Sequence, residues 1–250
     1  MKKFLKWLGI IVLLILVALF IVGWSFHEKK PAANPSAEAD ALAQQMLSAL
    51  NKPAWDTTTY IQWTFRAANH YLWDKERNFV EVSWADTKVL LHTKTVTGKA
   101  YKAGELLSDK EAEKAIQKAW ANFCNDSFWL CAPMKAFDPG TVRSIVEVKD
   151  GRKGLMVHYE GGGGVTPEDS YVWLLDEQNI PTSYKMWVSI IPIGGVEATW
   201  SDWQKVETGA LIAGKRMLFG STEIPLTNIS ACMDWTSFER ASDPFQEITK

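Results

Sequence analysis

Four histidines, three cysteines and a few adjacent carboxylates are the side chains of this 250-residue chain suited to bond-making chemistry. Their spacing assembles none. His27, His70, His92 and His158 do not pair at metal-ligand spacing, and no HExxH, CxxC or GxSxG pattern occurs. The glycine run Gly161 to Gly164 is followed by neither Lys-Ser/Thr nor a helix signal, so it reads as a long hairpin loop rather than a phosphate cradle. Glu168/Asp169 and Asp176/Glu177 fall in turns, where charge is solvated, and no glycosidase-like pair stands out. Cys124, Cys131 and Cys232 are an odd number. Cys124 and Cys131 pair if a helix end folds back on the next segment; otherwise all three are small buried residues. The expectation is a protein without catalytic residues, metal or cofactor.

The conspicuous side chains are apolar. The chain holds 13 Trp and 11 Phe, and each Trp brings a large apolar surface with one N–H donor. The densest stretch, Tyr60 to Trp84, places Trp63, Trp73 and Trp84 about ten residues apart with polar breaks between them. Ile61, Trp63 and Phe65 alternate with Gln62, Thr64 and Arg66, and Val80, Val82 and Trp84 alternate with Glu81 and Ser83. Period two with aromatic and β-branched residues predicts an antiparallel meander with one large aromatic face. Tyr71 and Trp73 share one side and Leu72 takes the other, which leaves the side facing inward open.

The elements that must cover that face are two predicted helices. Ser36 to Leu50 repeats Ala39, Leu42, Ala43, Met46, Ala49 and Leu50 on one side. Ser108 to Phe123 opens on an S-x-x-E capping box, Ser108 and Glu111, and carries a stripe of Ala112, Ala115, Ile116, Ala119, Trp120 and Phe123. Its predicted main contact with the meander is Trp120. After Asn125 the chain reads as irregular, broken by Pro133 and Pro139. Strand patterns resume from Val142 to Met233, with Asp150-Gly151 a hairpin signal. The expected fold is α+β: one curved antiparallel sheet, an open half-barrel of about ten or eleven strands, with helices over its concave face.

At the N-terminus, Trp7 to Phe26 is twenty residues without a charge, about 30 Å as a helix. It reads as a transmembrane anchor over residues 1–27. A cleaved signal peptide competes, but the nearest small-x-small site, Ala37-Glu38-Ala39, lies well beyond the apolar run. Lys2, Lys3 and Lys6 precede the span and predict that the rest is exported. Residues 28–37 read as a linker and 38–250 as the exported domain. Beyond residue 27 the chain has 24 basic against 29 acidic residues, which argues against a nucleic-acid partner.

The segments Asp126 to Gly140 (DSFWLCAPMKAFDPG) and Gly164 to Tyr171 (GVTPEDSY), with the W-x-F, Y-x-W-D and V-x-W meander, resemble uncharacterised bacterial relatives of the periplasmic outer-membrane lipoprotein carrier. The resemblance covers about residues 38–232. It implies a half-barrel that accepts acyl chains, at the bacterial inner membrane with its C-terminal domain in the periplasm. Two departures stand against it. The carriers are soluble after cleavage, and their lid-holding sheet arginine has no counterpart in Arg66, which alternation turns away from Trp63 and Phe65. The expected function is binding of a lipid or an acylated protein within walls from Ile61, Trp63, Phe65, Val82, Trp84, Trp120, Trp129 and Trp173. The alternative is a sensing module on the same fold with an envelope protein partner.

Overall fold

Alternation in the sequence becomes the framework of the molecule. In the computed structural model, which describes residues 2–161, 168–238 and 240–249 without the side chains of residues 2, 3, 5 and 15–22, the aromatic meander forms β1 (Tyr60–Phe65), β2 (Asn69–Asp74) and β3 (Phe79–Trp84). Trp63 sits opposite Tyr71, and Tyr71 opposite Val82, so one face collects all three. The next strands, β4 (Thr87–His92), β5 (Thr97–Lys102) and β6 (Glu105–Leu106), extend the same sheet. Seven further strands, β7 (Thr141–Glu147), β8 (Lys153–Tyr159), β9 (Ser170–Leu175), β10 (Pro181–Trp187), β11 (Val196–Lys205), β12 (Leu211–Leu218) and β13 (Thr222–Glu223), make a second sheet. The last strand, β14 (Leu226–Cys232), returns to pair with β1.

The described residues therefore form two seven-stranded antiparallel sheets, ordered β14-β1-β2-β3-β4-β5-β6 and β13-β12-β11-β10-β9-β8-β7. This corrects the single sheet of ten or eleven strands. The ladder breaks between β13 and β14, at Pro225, which has no N–H to donate. A single bond flanks the break on each side: Ile224 N–H donates to Arg216 O of the second sheet and Arg66 N–H of the first donates to Pro225 O, both 2.9 Å. Both sheets nevertheless turn one face to a shared core that holds Trp63, Val82, Trp173, Trp200 and Ile212.

Helices α2 (Ala37–Ala49) and α4 (Asp109–Cys131) cover that face, with a short α3 (Lys52–Thr57) between them in sequence. Ser36 caps α2 by accepting from Ala39 N–H at 3.1 Å, and Ala39, Ala43 and Met46 are buried as the stripe predicts. The end of α4 differs from expectation. The helix does not stop at Phe123 but runs to Cys131, and a 3-10 turn at Ala132–Lys135 follows. No helix breaker precedes Pro133, and Pro133 is accommodated at the start of the 3-10 turn, where its missing N–H costs nothing. The predicted capping box does not form: Ser108 makes no side-chain cap bond. All three cysteines are free thiols, with Cys131 buried.

The outer faces have covers of their own. Tyr60, Leu72, Phe79 and Leu90 pack under the C-terminal segment through Phe245. On the other sheet, Val146, Met156, Val172, Leu174 and Trp187 form a separate cluster. Glu28, inside the stretch read as a linker, lies against that sheet: its carboxylate meets Lys185 Nζ at 2.6 Å and its carbonyl accepts from Trp187 Nε1 at 2.8 Å. Gly194 and Gly195 permit this approach, since a Cβ on either would stand 2.6 Å from Glu28 atoms.

Residues Lys2–Phe26 form helix α1. The predicted membrane span runs through it, with the side chains of residues 15–22 outside those described. Among the described residues no helix is long and apolar enough to cross a membrane. Most of the predicted glycine loop, and Thr166-Pro167 of the second motif, also lie outside the described residues.

Candidate functional site

The shared interior is built from aromatic rings, and α4 joins its two halves. On the first sheet, Trp63 stacks on Tyr71 with ring centres 4.4 Å apart. Phe123 lies against Trp63 (6.4 Å), Tyr71 (6.4 Å) and Trp73 (5.1 Å). On the second sheet, Tyr184 meets Tyr171 (5.4 Å) and Trp173 (5.0 Å), and Trp173 meets Trp200 (5.3 Å). Phe128 touches Tyr171 at 4.6 Å and Trp129 touches Tyr184 at 5.9 Å. Residues five and six apart on a helix point about 120–140° apart. Phe123 can therefore close one aromatic band while Phe128 and Trp129 close the other.

All eight predicted wall residues belong to this core or pack against it. Ile61, Trp63, Val82 and Trp173 are at most 1% exposed, and Phe65 is buried. Trp84, Trp120 and Trp129 are partly buried at the margin; Lys118 Nζ sits over the Trp84 ring at 4.9 Å. Trp73, left open by the sequence, packs inward. The principal helix contact is Phe123 rather than Trp120, which only flanks it at 6.2 Å. Arg66 is exposed in the β1–β2 turn, with φ +51°.

Asp169, expected as solvated charge in a turn, is instead buried and accepts from Tyr171 Oη at 3.3 Å, and two further polar residues, on α4 and β12, escaped sequence reasoning. Asp126 follows Ala119 and Phe123 on the buried stripe of α4. It accepts from Tyr71 Oη at 2.5 Å, Asn69 Nδ2 at 2.8 Å and Asn125 Nδ2 at 2.8 Å. Burial pushes its carboxyl above the usual range, and the three donors oppose that. Arg216 on β12 is fully buried, with its guanidinium 4.5 Å from the centre of the Trp200 ring. Both left a signal: each is an ionisable residue at the inward period of an apolar element. Asp126 was lost because the helix was ended at Phe123, and Arg216 because one charge in a strand reads as an outward residue.

No family model matches the chain, and no curated protein does. Among solved structures, the chain is similar to a domain from Vibrio parahaemolyticus described as an outer membrane lipoprotein-sorting protein, at 9% identity over 79% of this chain and 100% of that one, with a TM-score of 0.35.

Of the described residues, no group of three or more His, Cys, Asp or Glu is placed to hold a metal ion. The tyrosines of the interior are neutral: burial raises Tyr71, Tyr171 and Tyr184 far above the ordinary phenol range. The interior offers apolar surface, ring edges and N–H donors.

Proposed function

We propose that the protein is a non-catalytic binder of long-chain apolar ligands, a lipid or the acyl group of an acylated protein, with α4 as the movable cover of its interior. One observation carries the reading. The faces of two sheets are lined with aromatic rings, and a single helix closes both by laying Phe123 on one and Phe128 and Trp129 on the other.

The magnitudes favour a long chain. Displacing three such rings costs about 5–9 kcal/mol at about 1.5–3 kcal/mol each. About six to eleven buried CH₂ groups, at about 0.8 kcal/mol each, offset that. Short acyl groups fall below the balance. Trp7 to Phe26, uncharged over twenty residues, is the proposed inner-membrane anchor, holding the domain on the periplasmic side where such ligands leave the bilayer.

The test is photo-crosslinking in the native membrane, with p-benzoylphenylalanine in place of Trp129 and, as control, of the exposed Ile190. The expected result is an adduct of lipid mass at position 129 and none at 190. Crosslinks from position 129 to other parts of this chain alone would overturn the proposal; a protein adduct there would favour a sensing module with an envelope partner.

A further inference from the structure

Arg216 is 0% exposed, yet most of its donors are unused. Its Nη2 donates to the Leu130 carbonyl in the last turn of α4 at 3.4 Å, while Nε and Nη1 have no partner. Trp200, its cross-strand neighbour and the ring beneath its guanidinium, has a buried indole Nε1 that is unpartnered too. The ionisable groups that face Arg216 are Tyr184 and Cys131. Neither is an anion at neutral pH: burial raises both, Cys131 to about 11 and Tyr184 further. Burial lowers the guanidinium itself to about 9, so it is a cation at neutral pH.

The position is therefore a cation and a set of N–H donors in an apolar interior, with one carbonyl for company. A buried charge needs a counter-charge, and a guanidinium edge with two adjacent N–H groups matches the two oxygens of a carboxylate or phosphate. Arg216 lies on the same inward face as Ile212, beside the Trp173–Trp200 contact of the proposed acyl path.

We propose that Arg216 and Trp200 form the head-group receptor of this interior, specific for an oxyanion, a carboxylate or phosphate monoester, at the end of an acyl chain. This rests on the ligand-binding reading above and adds the ligand's charge. An alcohol or an ester of the same chain would leave the guanidinium unpaired and bind more weakly.

The test uses the full chain in lipid nanodiscs with three photoactivatable probes of equal length, hexadecanoate, hexadecyl phosphate and hexadecanol, and reads adducts on the peptides that carry Trp200 and Arg216. At least one of the two acidic probes is expected to label at least tenfold more than the alcohol. Arg216→Met, which removes an unpaired buried charge and is expected to fold, should lower acid labelling and abolish its excess over the alcohol. Trp200→Phe keeps ring and cation and should weaken acid labelling severalfold. Equal labelling by acids and alcohol in the wild type, or unchanged acid labelling in Arg216→Met, overturns the oxyanion site and leaves the apolar reading standing. Acetate and inorganic phosphate are added as free anions with tryptophan fluorescence as readout. An Arg216-dependent response to them, with no labelling by any amphiphile, supports the anion site and overturns the acyl reading. No response in either arm overturns both.

Discussion

Tyr71 donates its hydroxyl to Asp126 at 2.5 Å, from the middle strand of the aromatic meander to the covering helix. Asn69, two residues earlier on the same strand, donates to the same oxygen at 2.8 Å. This is the polar fastening of α4 over the first sheet. Asp126→Ala leaves the buried Tyr71 hydroxyl without an acceptor and is expected to cost about 1–3 kcal/mol. The effect depends on pH. Burial raises the folded pKa of Asp126, so its ionised form is penalised in the folded state. That penalty is absent below the unfolded value of about 3.9 and grows as pH rises through the folded pKa. Urea unfolding of wild type and variant between pH 4 and pH 7 should show the wild-type advantage shrinking toward neutrality. An advantage that grows toward pH 7 would contradict the sign.

Phe123 is the hinge of the packing argument. It touches Trp63, Tyr71 and Trp73 and is buried, whereas Trp120, one turn earlier, is partly exposed. Phe123→Ala should therefore destabilise by about 3–5 kcal/mol, and Trp120→Ala by clearly less. Thermal or denaturant unfolding of the pair checks the order. A larger loss for Trp120→Ala would restore that residue as the main contact.

The contrast shows what periodicity can and cannot reveal. Strand alternation placed Trp63, Phe65 and Val82 inward correctly, because period two leaves each side chain only two directions and a buried face selects one. It left Trp73 undecided for want of neighbours, and cross-strand pairing with Ile61 and Val80 decided it. The helix runs past its expected end: Pro133 and Pro139 signal irregular chain after Asn125, but a proline restricts mainly the residue before it. The split into two sheets hinged on Pro225, whose effect depends on which strand it lies beside. Arg216 and Asp126 were overlooked because a lone ionisable residue reads as solvent-facing until its element's inward face is fixed.

The C-terminal segment is expected to behave as a strap on the outer face of the first sheet. Phe245 is fully buried against Phe79, with ring centres 5.6 Å apart, and Arg77 joins Asp74 on the strand side to Asp243 on the strap. Phe245→Ala should cost about 3–5 kcal/mol and expose the Tyr60, Leu72, Phe79 and Leu90 surface to an apolar dye. A variant that matches wild type in both stability and dye binding would show the strap to be dispensable.

The same strap carries an acid response. Hydrogen bonds from Arg77 hold Asp243 below the usual carboxylate range. A depressed folded pKa contributes stability that is present above the unfolded value of about 3.9 and lost as pH falls through the folded one. Protection of the amides around Phe245, read by hydrogen exchange, should therefore fall first on acidification, and Asp243→Asn should remove that dependence. Because the pair is partly exposed, added salt should weaken it as well.

Lys185 and Glu28 make the most enclosed ion pair among the described residues, with side chains 5% and 14% exposed and a separation of 2.6 Å. Asp150 stands 3.2 Å from the same ammonium but is much more exposed. Removing one partner of a buried pair costs about 3–5 kcal/mol, and Asp150 should reduce that for Glu28→Gln. Lys185→Met leaves the Glu28 carboxylate enclosed, with Oε2 already unpartnered, and should cost more than Glu28→Gln. Replacing both by apolar residues of similar size should recover most of either loss, since desolvating the two charges offsets much of their attraction. A double-mutant cycle by denaturant unfolding measures this directly. If Lys185→Met and Glu28→Gln both prove neutral, the attachment of this segment rests on the Glu28 carbonyl bond to Trp187 and on the glycines that admit it, not on charge.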